Sequence, residues 1–326
     1  LKKLGTLLLE DHVLHIAWHP DGSRLLATPA TGSIVVTNLE ADILETLPGH
    51  GMGNGKSDWF QGLPATCGFD GRVRWNGTDW KPGRGLIEAV KTSPDGTLLA
   101  ASQEKNLLIR DAACDESASL RDLEAVVSDF AWNPANPREV ATAGAGGAAL
   151  WKLGTKTPFA RFDWGGASLK VLWSADGRWL ATGDQTPSVH VYDIPRDHSL
   201  HMEGFEGKVH ALDFSADGRR LATGGSPVAT VWPMTSIKGP EGAVPIQVEG
   251  SEVPLQALAF SAVTGQLASG DGAGTLLILT FEKGQVRRKR ARLHAGVSTL
   301  AWHPSREILA IGHDDGTVVI LSLESA

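Results

Sequence analysis

Trp179-Leu180-Ala181-Thr182-Gly183 followed by Val189-His190-Val191-Tyr192-Asp193, and Leu221-Ala222-Thr223-Gly224-Gly225 followed by Ala229-Thr230-Val231-Trp232, carry the reading of the fold. Each pair is a short apolar run, a turn, and a second short run closing on an aromatic residue. The closing run recurs at Ser33–Thr37, Arg72–Trp75, Asn106–Arg110, Ala148–Trp151, Ser188–Tyr192, Val228–Trp232, Thr275–Leu279 and Thr317–Leu321. Its last residues are spaced by 38, 35, 41, 41, 40, 47 and 42. Short strands repeated at such a period predict an all-β propeller. Eight markers predict eight blades of four antiparallel strands. Seven is the alternative, because the unit ending at Trp75 is compact and lacks a regular first strand.

Inside a unit the chemistry is local. Val209-His210-Ala211-Leu212-Asp213-Phe214 alternates at the strand period, and Ser215-Ala216-Asp217-Gly218 then turns the chain. Asp bonds its own backbone and Gly accepts positive φ, and the pair returns at Asp21-Gly22, Asp95-Gly96 and Asp176-Gly177. Residues Lys3–Glu10 read as a strand without a partner in their own unit, while the last unit stops after its third strand near Ser322. The N-terminal segment is therefore expected to complete the last blade, closing the propeller and removing two open edges.

The repeats resemble the WD-repeat family, over nearly the whole chain. Endings of that type are Tyr192-Asp193 and Arg110-Asp111, with Trp75, Trp151 and Trp232 keeping the aromatic alone; openings are Gly49-His50 and Leu293-His294. The resemblance implies a hydrogen-bonded set of His, turn Asp, Ser or Thr, and Trp. In this chain the set is degenerate: the last unit keeps His294, Ser298 and Asp315 but ends in Leu321.

The resemblance also implies a rim of loops as the binding face. Mapped onto this chain, it gives Phe69, Asp70, Gln103, Glu104, Lys105, Asp163, Trp164, Asp184, Gln185, Glu206, Glu252, Asp271, His294, His313 and Asp314. The set is acidic, so a basic peptide or protein surface is the implied partner, with Trp164 and Phe69 as aromatic contacts. The competing structural reading is that Asp184 and Asp271 stabilise their own turns.

Composition narrows the classes. Hydrophobic residues make up 42% and charged residues 21%, enough for a large core in one domain spanning 1–326. The net charge of −7 offers no general attraction for nucleic acid. Cys67 and Cys114 lie in different units and supply neither a disulfide framework nor a thiolate cluster. No apolar run reaches the ~20 residues that span a membrane, no secretory leader is read, and the cytoplasm is the expected setting. Asn76-Gly77-Thr78 fits a glycosylation acceptor and reads as a turn.

Chemistry-bearing motifs are sparse. Gly49–Lys56 holds four glycines in eight residues before Trp59, yet the Gly-Lys-Ser at 55–57 lacks the upstream Gly of a phosphate loop, because that position is His50. The stretch reads as a mobile loop beside an aromatic. His12 and His15, and His198 and His201, have no further ligands at metal-binding intervals. Trp18-His19-Pro20 and Trp302-His303-Pro304 are equivalent turns. No cofactor is called for and no catalytic residue is assigned. Arg287-Arg288-Lys289-Arg290 with Arg292 is expected on an outer strand, its side chains alternating between faces and guarding an exposed edge. Two classes remain: a non-catalytic protein-interaction scaffold, and, as the alternative, a metal-dependent or hydrolytic propeller with its site at the central channel.

Overall fold

The structure is a computed structural model that describes residues 1–113, 115, 118–282 and 285–324. Cys114 lies outside the described residues. The chain forms two compact units, one from residues 1–90 and 249–326, the other from residues 91–248.

In chain order the first unit begins with β1 (Lys2–Leu8), β2 (Val13–Trp18), β3 (Leu25–Pro29), β4 (Ile34–Thr37), β5 (Ile43–Leu47), β6 (Asp58–Phe60), β7 (Leu63–Cys67), β8 (Val73–Trp75) and β9 (Thr78–Trp80). After β10 (Ile87–Thr92), the second unit continues with β11 (Leu98–Gln103), β12 (Asn106–Asp111), β13 (Asp129–Asn133), β14 (Asn136–Lys152), β15 (Ala160–Trp173), β16 (Trp179–Asp184) and β17 (Ser188–Asp193). It ends with β18 (His198–Glu203), β19 (Leu212–Phe214), β20 (Arg220–Thr223), β21 (Ala229–Pro233) and β22 (Ile246–Val248). The chain returns to the first unit with β23 (Leu255–Phe260), β24 (Leu267–Asp271), β25 (Thr275–Glu282), β26 (Gln285–Arg292), β27 (Val297–Trp302), β28 (Ile308–His313) and β29 (Thr317–Ser322).

The first unit holds four antiparallel sheets: β2-β3-β4-β5, β6-β7-β8-β9, β23-β24-β25-β26 and β1-β29-β28-β27. The last is completed as the chain ends predicted, with Lys2 opposite Ser322 and Leu8 opposite Thr317. The second unit holds β10-β11-β12, β19-β20-β21-β22 and one six-stranded sheet, β13 through β18 in sequence order.

The β-propeller architecture stands, but the expected eight blades are corrected: the strands make seven hydrogen-bonded sheets. The reason is local to β14 and β15, of 17 and 14 residues. The first half of β14 pairs with β13 and its second half with β15, whose own second half pairs with β16. The repeats ending at Trp151 and Tyr192 therefore share a sheet. At the turn between the halves of β14, Gly146 and Gly147 take φ of 89° and 121°, which only glycine adopts without strain.

Repeating hydrogen bonds explain why these sequences set sheets side by side. The tryptophan closing the first strand of a unit donates its indole N–H to a carbonyl of the preceding one. In the first unit Trp302 donates to Ala259 at 2.9 Å, Trp18 to Ala301 at 3.0 Å and Trp59 to Ala17 at 2.9 Å. In the second, Trp132 donates to Lys91 at 3.0 Å, and Trp173 makes the same bond to Ala131 at 3.2 Å within the six-stranded sheet. A buried indole N–H needs such an acceptor. Trp59, expected beside a mobile loop, is thus buried structure.

The Asp-Gly turns behave as their chemistry requires. Asp21, Asp95, Asp176 and Asp217 each accept the amide two residues on, at 2.8–3.1 Å, and the following glycines have φ of 66–78°. Burial pushes the carboxyls of Asp95 and Asp217 up, but the hydroxyls of Ser93 and Ser215 and the turn amides outweigh it and hold both low.

Candidate functional site

The polar set implied by the repeats assembles in the first unit around His50. Its Nδ1 lies 2.9 Å from Asp70 Oδ1 and its Nε2 3.2 Å from Thr66 Oγ1. The glycine-rich stretch that carries it is pinned, contrary to the mobile loop expected. Asn54 donates to the carbonyls of Pro29 and Gly32 and accepts the His50 amide, and Lys56 N–H bonds Glu88 O. Burial lowers the His50 pKa, with Asp70 offsetting only part of it. Burial acts to raise Asp70, yet the bond to His50 and the nearby Arg74 hold it low. Phe69 is 36% exposed and lies over Gly53.

Also in the first unit, Asp271 is buried and accepts the amides of Thr275 at 2.7 Å, Ala273 at 3.0 Å and Glu252 at 3.2 Å. It fixes the β24–β25 turn and the approach to β23. His313 is buried, with Nδ1 3.1 Å from Ala295 O. His294 and Asp315 form an exposed pair at 3.1 Å. Ser298 turns away from them and donates to Val13 O at 2.7 Å. Asp314 is exposed beside Gly296.

In the second unit the corresponding centre is Asp184, fully buried at the end of β16. Its carboxylate accepts Ser168 Oγ at 2.9 Å, Thr182 Oγ1 at 3.1 Å and Ser188 Oγ at 3.1 Å, and meets His190 Nδ1 at 2.7 Å. The His190 ring stacks on His201, centroids 4.3 Å apart and planes nearly parallel. Trp164 is only half-buried; its indole covers Gly166 and donates to Ser168 Oγ at 3.2 Å. Asp184 and Trp164 thus belong to one internal network, and alternation along the sequence did not reveal it.

Around this network the second unit exposes Glu104, Asp163, Gln185 and Glu206. Gln103 is buried. Glu104 caps the β11–β12 turn with φ of 51°, and its carbonyl accepts Val127 N–H. Lys105 Nζ donates to Glu124 O, and Arg161 grips the Glu124 carboxylate through two bonds of 2.7 Å. Asp163 sits opposite Gly147 in the β14–β15 register, and Gln185 N–H bonds Ala167 O. Beside Arg161, a cavity of about 100 Å³ is lined by Glu124, Val126, Gly144, Gly147 and Asp163. The Ala143–Ala149 run leaves this space because its side chains are methyls or hydrogens.

The basic run lies on β26, the outermost strand of its sheet, and every one of its cations is exposed. Arg288 donates to Glu249 O at 2.7 Å. Arg290 and Arg292 share the Glu252 carboxylate at 3.0 and 3.2 Å, and Arg287 pairs with Glu282 at 3.0 Å.

Among the described residues no group of three or more His, Cys, Asp or Glu is placed to hold a metal ion. Among the same residues no helix is long and apolar enough to cross a membrane. Cys67 is buried and free, and burial pushes its thiol up, which removes it as a nucleophile.

With this geometry in hand, the chain's likeness to known proteins is informative. Residues 198–232 and 288–321 match the family model described as WD domain, G-beta repeat. The chain is 30% identical to WD repeat-containing protein VIP3 of Arabidopsis thaliana over 42% of this chain and 49% of that protein. It is 25% identical to Meiotic fizzy-related protein 1 of Schizosaccharomyces pombe, over 50% and 38%. It is 25% identical to Actin-related protein 2/3 complex subunit 1A of Arabidopsis thaliana, over 46% and 41%. The matches thus span less than half the length of these relatives. The crystal structure of the computationally designed Ika8 protein superposes with a TM-score of 0.83 at 18% identity, covering 99% of this chain and 100% of that one. That likeness concerns the fold alone. Two segments of the chain thus match the WD-repeat model, and the relatives include a WD-repeat protein, in keeping with a β-propeller of WD-repeat type.

Proposed function

We propose that the protein is a non-catalytic interaction scaffold that binds a basic peptide or protein surface through exposed loops of its second unit. The observation that carries this reading is the connected acidic rim of the small cavity. Among the described residues Glu124 and Asp163 line it with Arg161 as the one cation, and the exposed Glu104–Lys105 turn is tied to the same segment, Val127 N–H to Glu104 O and Lys105 Nζ to Glu124 O. The hydrogen-bonded base holds these loops without ordering on binding, which lowers the entropic cost of association. The relative named as a subunit of the actin-related protein 2/3 complex supports a role among other proteins. Asp184 supports the contact residues from within, and Glu104, Asp163 and Gln185 make the contacts, while Asp271 and His313 hold turns of the first unit. Asp70, Phe69 and Asp314 belong to the first unit and are no part of this face.

The test is affinity capture from native extract with the intact chain and with a Glu104→Arg, Asp163→Arg double variant. Both changes sit on exposed side chains, so equal melting temperatures are expected. A protein retained by the intact chain and lost by the variant is the expected result. Equal retention by both would remove this face, and no retained protein would count against the scaffold.

A further inference from the structure

Beyond the acidic loops, the structure points to a second binding surface of opposite charge. We propose that β26 is a docking edge for an extended acidic segment of a partner protein, which adds to it as a further strand. β26 pairs with β25 along its whole length, Arg292 opposite Thr275 through Gln285 opposite Glu282. Among the described residues no strand pairs with its far edge. An eight-residue edge leaves alternate N–H and C=O groups pointing outward, a template for another strand.

The side chains select what that strand carries. Arg287, Arg288, Lys289, Arg290 and Arg292 sit on one strand of a chain whose net charge is −7. Their preference for carboxylates is visible within the molecule: Glu252 is shared by Arg290 and Arg292, and Glu282 is held by Arg287. Alternation puts Arg288, Arg290 and Arg292 on the face already engaged by Glu249 O and Glu252. Arg287 and Lys289 look the other way, and Lys289 has no hydrogen bond or ion pair among the described residues. A partner strand with carboxylates at alternate positions would place them directly across from these two, at the ~5 Å spacing of cross-strand neighbours. Neutral or basic strands are refused by the same cations. Guarding the edge and admitting an acidic strand are therefore one chemistry. The overall negative charge disfavours a long nucleic acid, which the protein repels as a whole.

The experiment titrates the full chain with an eight-residue peptide of alternating Glu and Val. The controls are its Lys-Val counterpart, a copy N-methylated at alternate residues so that one edge cannot donate, and oligothymidylate. Saturable binding of the Glu-Val peptide that weakens at least tenfold between 50 and 500 mM salt is expected, as the Debye length shrinks from about 14 Å to about 4 Å, the scale of the charge spacing. The Arg287→Glu, Lys289→Glu double variant should lose it tenfold or more, and the milder Arg287→Gln, Lys289→Gln variant in part. Equal binding of the N-methylated peptide would overturn strand addition. Tighter binding of oligothymidylate would replace the partner class by nucleic acid. No binding of either acidic probe would leave β26 a guard and overturn the proposal.

Discussion

β1 and β26 occupy the same place, outermost in a four-stranded sheet, and reach it by opposite routes. β26 follows β25 in the chain and zips onto it as a hairpin. β1 meets β29 across almost the full length of the sequence, Lys3 opposite Leu321, so its loop-closure entropy must be repaid by contacts. It repays with apolar surface: Leu4 and Leu7 pack on the cluster of Val13, Ile308, Val318 and Ile320, and Leu9 is itself buried there. β26 buries no side chain and keeps five cations in water. The lesson is that one architectural position serves stability at one site and recognition at another, according to how the strand arrives.

The sharpest way to break this comparison is to remove β1. Deleting Leu1–Glu10 exposes the β29 edge and removes the packing of Leu4, Leu7 and Leu9 on their cluster, a loss of roughly 5 kcal/mol at ~2 kcal/mol per leucine or somewhat less where burial is partial. A chemical-denaturation midpoint matching that of the intact chain would refute the stabilising role of β1. Next in size is Asp271→Ala, which frees the amides of Glu252, Ala273 and Thr275 and should cost about 3 kcal/mol. Because that turn also sets Glu252 beside Arg290 and Arg292, hydrogen exchange should quicken along β25 and β26 before it does in β1. Asp271→Asn, which keeps an acceptor, should recover part of the loss.

Acidification should separate the two sheets as well. Burial lowers the pKa of His313 on β28 and of His303 just after β27, so the folded sheet around β1 binds fewer protons than the unfolded chain does. Stability is then full above the unfolded histidine pKa of about 6.5 and falls as pH drops below it. Measured relative to intrinsic exchange, protection of β27–β29 should fall between pH 7.5 and 5.5 more than that of β23–β26, which carry no histidine; an equal fall in protection would contradict the assignment. The smallest effect belongs to Lys289→Glu. An exposed cation without a partner among the described residues should shift stability by under about 0.5 kcal/mol, even as acidic-peptide binding weakens. A large fall in melting temperature would show β26 to be structural like β1.

Much of the architecture was legible in the chain because its determinants are local. The Asp-Gly turns, the period of the closing strands and the unpaired strand at each end depend on neighbouring residues, and each took its expected place. The run-through of β14 and β15 was not legible. Ala141–Ala149 is built of Ala, Gly and a single Thr, whose small side chains neither alternate in size nor signal where one repeat stops. The contact residues divided along the same line. Sequence grouped Asp163, Trp164 and Asp184 as one acidic-aromatic patch. Only packing distinguished the exposed Asp163 from Trp164 and Asp184, which bond Ser168 inside the network.

By itself, then, the sequence determined a repeating all-β chain, the turns that punctuate it, an acidic balance and one basic outer strand. Those properties follow from backbone preferences and side-chain charge, which act over a few residues. The tertiary structure alone decided that seven sheets form, that Trp18, Trp59, Trp132, Trp173 and Trp302 tie neighbours together, and which carboxylates face water. A side chain acts as a ligand or as a support according to what distant strands place around it, and burial and hydrogen-bond partners exist only once those strands have met.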